Sequence, residues 1–164
     1  YNAKEFDQPL DGWDVSNVTD MHWMFRGAHN FNQPLDDWDV SKVTTMESMF
    51  DDASSFDQPL DDWNVSNVQN MNSMFAGARN FDHPLNDWTV SNVYDMEGMF
   101  YEAVKFDRPL YDWDVSNVQD MNDMFYGALK FNQSLDRWDL WKRAIVRGMF
   151  DDSAMEDNTP EWYN

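Results

Sequence analysis

The chain is 164 residues long, 42% apolar and free of cysteine, which suits one folded domain and excludes a disulfide framework or thiolate chemistry. Its 31 acidic residues against 11 basic ones give a net charge of -20, a field that repels nucleic-acid phosphates and anionic membranes alike. No apolar run approaches the roughly 18 residues of a membrane span and no signal peptide precedes Tyr1, so neither nucleic-acid binding nor membrane insertion is expected.

Residues 1–5 align with the last five positions of a repeat, as in Tyr126-Gly-Ala128-Leu-Lys130, so the chain is expected to open inside an earlier coil without an N-terminal cap. From Phe6 onward a period of 25 runs without an insertion. Phe6, Phe31, Phe56, Phe81, Phe106 and Phe131 form one column and Phe25, Phe50, Phe75, Phe100, Phe125 and Phe150 a second. Leu10, Trp13 and Met24 start further columns at the same interval. Repeats this short cannot be separate domains, and they predict a solenoid in which each coil buries its neighbour.

Within a coil, Trp38-Asp39-Val40 alternates apolar and acidic residues, the period-2 signal of a short strand with one buried face. Val43, Met46, Met49, Phe50 and Ala53 then recur at three- and four-residue steps, which predicts a short α or 3-10 segment. Ser41, and Asn17, Asn67, Asn92 and Asn117 one position later in their coils, stand where a helix N-cap belongs. Asp20 and Asp95, three residues after Asn17 and Asn92, resemble the acid of a capping box. Pro9, Pro34, Pro59, Pro84 and Pro109 mark the turn back toward the strand. The expected fold class is a leucine-rich-repeat-like solenoid of about six coils, with one short parallel strand and one short helical segment in each.

The last coil departs from the pattern. Over 131–155, Ser134 replaces Pro, Trp141 replaces Ser, Arg143 replaces Val and Ser153 replaces Ala, as suits a terminal coil with nothing stacked beyond it. The chain is thus read as one domain, 1–164: a preceding tail at 1–5, five regular repeats at 6–130, a degenerate capping repeat at 131–155 and a tail at 156–164. Trp162 and Tyr163 are placed to fold back over that end.

The run FDQPLDDWNVSNVQNMNSMFAGARN at 56–80, with its F-x-Q-P-L, W-x-V-S-x-V and M-x-x-M-F-x-x-A elements, resembles the 25-residue repeat of the BspA-like bacterial surface-protein family, which includes surface lipoproteins of unknown function. The resemblance covers 6–130 almost throughout and 131–155 in part. It implies kinship with leucine-rich repeats and an extracellular or cell-surface protein that mediates adhesion or other protein contacts. It supplies no catalytic residue.

Three groups of residues stand out as candidate sites. Stacked parallel segments lie about 4.8 Å apart, which lines up outward carboxylates and makes each raise its neighbours' pKa. Asp37, Asp39 and Asp62, with Asp112, Asp114 and Asp139 as a second cluster, are the candidate cation ligands; calcium is the ion expected if any binds, and a solvated acidic face is the plainer reading. Tyr94, Tyr101, Tyr111 and Tyr126 occupy variable positions of adjacent coils, and Trp23 is a similar outlier in the first repeat; these suit protein or sugar contacts. Asn17, Asn64 and Asn132 begin N-x-Ser/Thr sequons, which matter only along a eukaryotic secretory route. His22, His29 and His83 fall in different columns with no nucleophile spaced to join them, so catalysis is not expected and no cofactor is required. A non-catalytic adhesive module is the leading reading. A subunit that self-assembles head to tail into filaments and a calcium-dependent adhesin using the acidic face are the alternatives.

Overall fold

A computed structural model describes residues 2–163; Tyr1 and Asn164, the ends of the expected 1–164 domain, lie outside the described residues. Identical columns meet in space. Successive rings of the column from Phe6 to Phe131 lie 5.7–6.0 Å apart, and those from Phe25 to Phe150 lie 5.5–5.9 Å apart. The two columns interlock at 4.0–4.2 Å, Phe25 on Phe31 and Phe50 on Phe56 among them. Parallel, offset rings of this kind add roughly 0.5–1.5 kcal/mol per pair beyond the area they bury. Leu35, Trp38, Val40, Val43, Met46 and Met49, with their counterparts, complete a continuous buried core.

The elements expected within each coil are not there. Among the described residues there is no α-helix and no sheet; the one regular element is a 3-10 turn at Glu161–Tyr163. Isolated parallel bridges join Asp20, Thr45, Asn70, Asp95, Asp120 and Ile145 in series. The leucine-rich-repeat-like reading, with a strand at Trp-Asp-Val and a helical segment after it, is therefore corrected: the repeat folds without either.

Backbone hydrogen bonding gives the reason. At the expected strand, the Trp38 N–H donates to the Leu35 carbonyl and the Val43 N–H to that of Val40, both closing local turns. The Ser41 N–H goes to Asp39 Oδ1, so little remains for a ladder at this point. Trp38 and Val40 are buried and Asp39 exposed as alternation implies, but the alternation comes from turns.

At the expected helix, two left-handed residues stand four positions apart in each coil. Ser48 and Asp52 have φ of 50° and 57°, and Trp23, Ser73, Gly77, Gly98, Glu102, Asp123 and Gly127 repeat the two positions in other coils. A right-handed helix cannot pass through such residues. Instead the Met49 N–H bonds the Met46 carbonyl and the Ala53 N–H that of Phe50, two turns each with a left-handed third residue, the type II arrangement. Consecutive three-bond turns place Met46, Met49, Phe50 and Ala53 on one side, which reproduces helical spacing without a helix.

The intervening N–H groups leave the coil. Met46, Ser48, Phe50 and Asp52 donate to the carbonyls of Asn70, Asn72, Met74 and Ala76 at 2.7–2.9 Å. The same four bonds recur at every interface from Met21 to Asp151, so peptide units line up head to tail along the stack. Side chains reinforce the joint. Trp63, Trp88, Trp113 and Trp138 each donate the indole N–H to the carbonyl of a Leu 28 residues earlier at 2.8–2.9 Å. Asn67, Asn92 and Asn117 do not cap helices; each donates its amide to a Ser carbonyl of the preceding coil.

Two measurements probe this arrangement. Trp63→Ala, which opens the middle of the stack, should cost on the order of 3–5 kcal/mol in urea unfolding, whereas Asp62→Asn on the surface should cost nothing. Gly77→Ala should cost more than its small size suggests, about 1–2 kcal/mol for the left-handed backbone alone, because φ is +64° and a Cβ would meet the Asp52 carboxylate. Asp52→Gly, in the same column, should be neutral or stabilising. A mild Trp63→Ala or a harmless Gly77→Ala would contradict the turn assignment.

Candidate functional site

The acidic columns are built into turns. Asp39 Oδ1 accepts the Ser41 N–H at 3.0 Å, and Asp14 does the same for Ser16. Asp114 accepts both the N–H and the hydroxyl of Ser116, and Asn64 performs this task for Ser66. Hydrogen bonds from these serines hold the carboxyls of Asp14 and Asp39 below the ordinary range. Asp112 receives the Asn86 amide at 2.7 Å and lies 3.7 Å from Arg137. Asp37, Asp62 and Asp139 are exposed. Among the described residues no group of three or more His, Asp or Glu side chains converges where an ion could be held, so the structure does not gather the candidate ligands into a site.

A different acidic face was not singled out by the sequence. Along the bridges, Asp95 and Glu97 meet Asp120 and Asp123 of the next coil. Burial first, then the Asp120 carboxylate, pushes Glu97 upward; burial does the same for Asp95, opposed by the Glu97 N–H. Amides interleave these acids: Asn72 Nδ2 donates to Glu97 Oε2 at 3.1 Å. The turn column Asp7, Asn32, Asp57, Asp82, Asp107 and Asn132 was also missed. From Asp7 through Asp107, each side chain accepts the backbone N–H of the following coil at 2.9–3.2 Å. The signal was available: that column admits only Asp or Asn.

The candidate aromatic contacts divide. Tyr101 and Tyr126 follow the buried Phe of successive coils, and the ladder stacks their rings at 4.9 Å and 7°. Tyr101 is 37% exposed. A hydrogen bond to Asp152, then the charge of that carboxylate, pushes the Tyr126 phenol up to about 12. Beside them Arg79 pairs with Glu102. Tyr94 sits exposed on the bridge segment and Tyr111 on the turn, under the Arg137 guanidinium at 5.5 Å. Trp23 lies in a left-handed position with Arg26 over its ring at 5.5 Å. Only Tyr101 and Tyr126 among these five are in ring contact with one another. The sequon residues Asn17, Asn64 and Asn132 are all exposed; Asn17 Oδ1 accepts from Lys42 at 2.7 Å.

The acids give two expectations. Asp95→Asn keeps the oxygen that accepts the Glu97 N–H, as Asn70 does for Asn72 one coil earlier, while removing a carboxylate held above its ordinary pKa. A raised folded-state pKa contributes stability that is present at low pH and lost as pH rises through it. The substitution should therefore raise the melting temperature at pH 7 and lose that advantage as pH falls below the carboxylate range. An equal gain at both pH values would point away from charge. Separately, millimolar Ca²⁺ should raise the melting temperature no more than NaCl of matched ionic strength. A calcium-specific increment abolished by Asp37→Asn with Asp39→Asn would instead establish a cation site.

No helix among the described residues is long and apolar enough to cross a membrane. No curated protein and no solved structure matches the chain. One family matches it in two overlapping stretches, residues 1–83 and 59–162. The period of 25, the stacked aromatic columns and this match coincide over nearly all of the chain, which belongs to the repeat family described as "Mycoplasma protein of unknown function, DUF285".

Proposed function

We propose that the chain is a non-catalytic repeat module of the cell surface or extracellular space that mediates adhesion through protein or glycan contacts. The resemblance of 56–80 to the BspA-like surface repeat supports the location. The stacked Tyr101–Tyr126 pair, exposed at Tyr101 and half-buried at Tyr126, carries the contact reading: two rings are held in place by the backbone ladder, on a column whose other members are Tyr1, Arg26, Asp51, Ala76 and Asp151. Rigid tyrosines suit such contacts because they offer large area at small entropic cost.

Beads coated with the chain should be retained on a cultured cell monolayer, and Tyr101→Ser with Tyr126→Ser should abolish retention while leaving urea unfolding within about 0.5 kcal/mol, as for surface changes generally. Undiminished retention by a folded double variant would refute the patch. No retention by the unaltered chain would refute adhesion to that surface.

A further inference from the structure

The segment after residue 155 stays against the repeat without following its pattern. Where earlier coils read F-x-Q-P-L, positions 156–160 hold Glu156-Asp157-Asn158-Thr159-Pro160. The segment is nonetheless held down. Trp162 stacks on Trp138 at 6.2 Å and donates its indole N–H to the Leu135 carbonyl. Pro160 is buried, and the Asn158 N–H closes a turn on the Met155 carbonyl at 2.9 Å. With no Phe and no Gln to fill the space beneath that turn, a cavity of about 260 Å³ remains between 132–136 and 155–160. Both of its walls are segments inside the chain.

The groups around this cavity depart from those of every other coil. From Asp7 to Asp107, each side chain of its column accepts an N–H of the following coil. The Asn132 amide, next in that column, holds no hydrogen bond among the described residues. Ser134 stands where five coils have Pro, and its hydroxyl donates to Asp136 Oδ2 at 2.8 Å. On the facing wall, the Asn158 amide and the Thr159 hydroxyl are also without a side-chain hydrogen bond among the described residues. Leu135, Met155 and Pro160 are buried and give the cavity an apolar side.

These groups select a class of ligand. Asp136 is the one charged residue lining the cavity, and Glu156, Asp157 and Glu161 flank the wall that closes it, so anions are repelled. One carboxylate among neutral neighbours is too little for a divalent cation. An ammonium group only donates, so it would leave the two amide NH₂ groups without acceptors. A hydroxyl both donates and accepts, as the amides and the Thr159 hydroxyl do. Polar groups left unpaired by the wrong ligand are what makes such a site discriminate. A ring bearing several hydroxyls and one C–H face meets each of these demands.

We propose that the cleft between 132–136 and 155–160 binds a neutral sugar. Asp136 accepts from neighbouring hydroxyls, the Asn132 and Asn158 amides and the Thr159 hydroxyl bond the others, and the C–H face of the ring lies against Leu135 and Pro160. Ser134 is a positioning residue that holds Asp136 Oδ2. The site is separate from the tyrosine pair and does not depend on it.

NMR titration of the isotope-labelled full chain with glucose, galactose, mannose and N-acetylglucosamine tests it. At least one of these sugars should move the side-chain amide signals of Asn132 and Asn158 saturably, while spermidine and inorganic phosphate should not. Asp136→Ala should weaken that binding about tenfold or more, as loss of a charged acceptor does. Ser134→Pro, which restores the residue of the other coils, should leave urea unfolding unchanged and weaken binding severalfold, and Ser134→Thr should preserve it. The proposal is overturned if none of the sugars moves those amides, or if spermidine or phosphate moves them and the sugars do not. Sugar shifts confined to Tyr101 and Tyr126 would overturn it too, while leaving adhesion through the tyrosine pair standing. So would undiminished binding by a folded Asp136→Ala chain. If that variant does not fold, Asp136→Asn must still weaken binding, and equal affinity overturns the proposal.

Discussion

Every feature of this protein depends on how the coil disposes of alternate N–H groups. Between Met46 and Ala53, one N–H closes a turn within the coil and the next reaches the following coil. A buried backbone donor without a partner costs roughly as much as a lost hydrogen bond, so this parity cannot slip. One inserted residue would exchange the two roles and turn the buried Met and Phe outward. That is a physical reason for a period that holds at 25 from Phe6 to Phe150.

The side chains follow from that backbone. Because each coil sits directly on the last, equal residues face each other, and a Phe column becomes a ring stack. From Trp63 to Trp138 the Trp column acquires an acceptor in the preceding Leu turn, which lets a residue with a polar N–H be buried in those coils. The left-handed positions explain composition that hydrophobic patterning leaves unread. They hold Gly, Ser, Asn, Asp, Glu and Trp, and at Gly77 and Gly148 a Cβ would collide with the residue one coil earlier.

Much of the packing was legible in the sequence, and the elements were not. The buried columns, their phase at Trp38 and Val40, and the turn back through Pro could be read from period and alternation. The helix and strand could not be excluded, because tandem type II turns give Met46, Met49, Phe50 and Ala53 the same three- and four-residue spacing as a helix. Left-handed Ser48 and Asp52 carry no signal in one coil. It emerges only when their columns are read together and found to contain Gly at Gly98, Gly148, Gly27, Gly77 and Gly127. The Tyr101–Tyr126 contact was legible as a pair of column neighbours. The Asp95 and Glu97 cluster was not, since it depends on which segment forms the ladder.

The charge of -20 is borne unevenly, and the columns show how. In the turns, carboxylates take up N–H groups that would otherwise lack acceptors, and the Ser16 and Ser41 bonds keep Asp14 and Asp39 ionised. There the acid performs the same task as Asn64, so charge is incidental to geometry. On the ladder face the same bonds form, from the Glu97 N–H to Asp95 and the Asn122 N–H to Asp120, but at Asp95 burial outweighs them. The sequence instead dilutes the repulsion: Glu47, Asn72, Glu97 and Asn122 alternate acid and amide, and Asn70 Nδ2 reaches Glu47 while Asn72 reaches Glu97. Where the alternation fails, at Asp95 beside Asp120, burial and the neighbouring carboxylate together raise the Asp95 pKa. A stack of identical coils multiplies any unfavourable column by the number of coils. Acidic residues are therefore accommodated here as acceptors for a turn, as alternate members of a column shared with amides, or, as at Asp37, Asp62, Asp87 and Asp112, exposed to solvent.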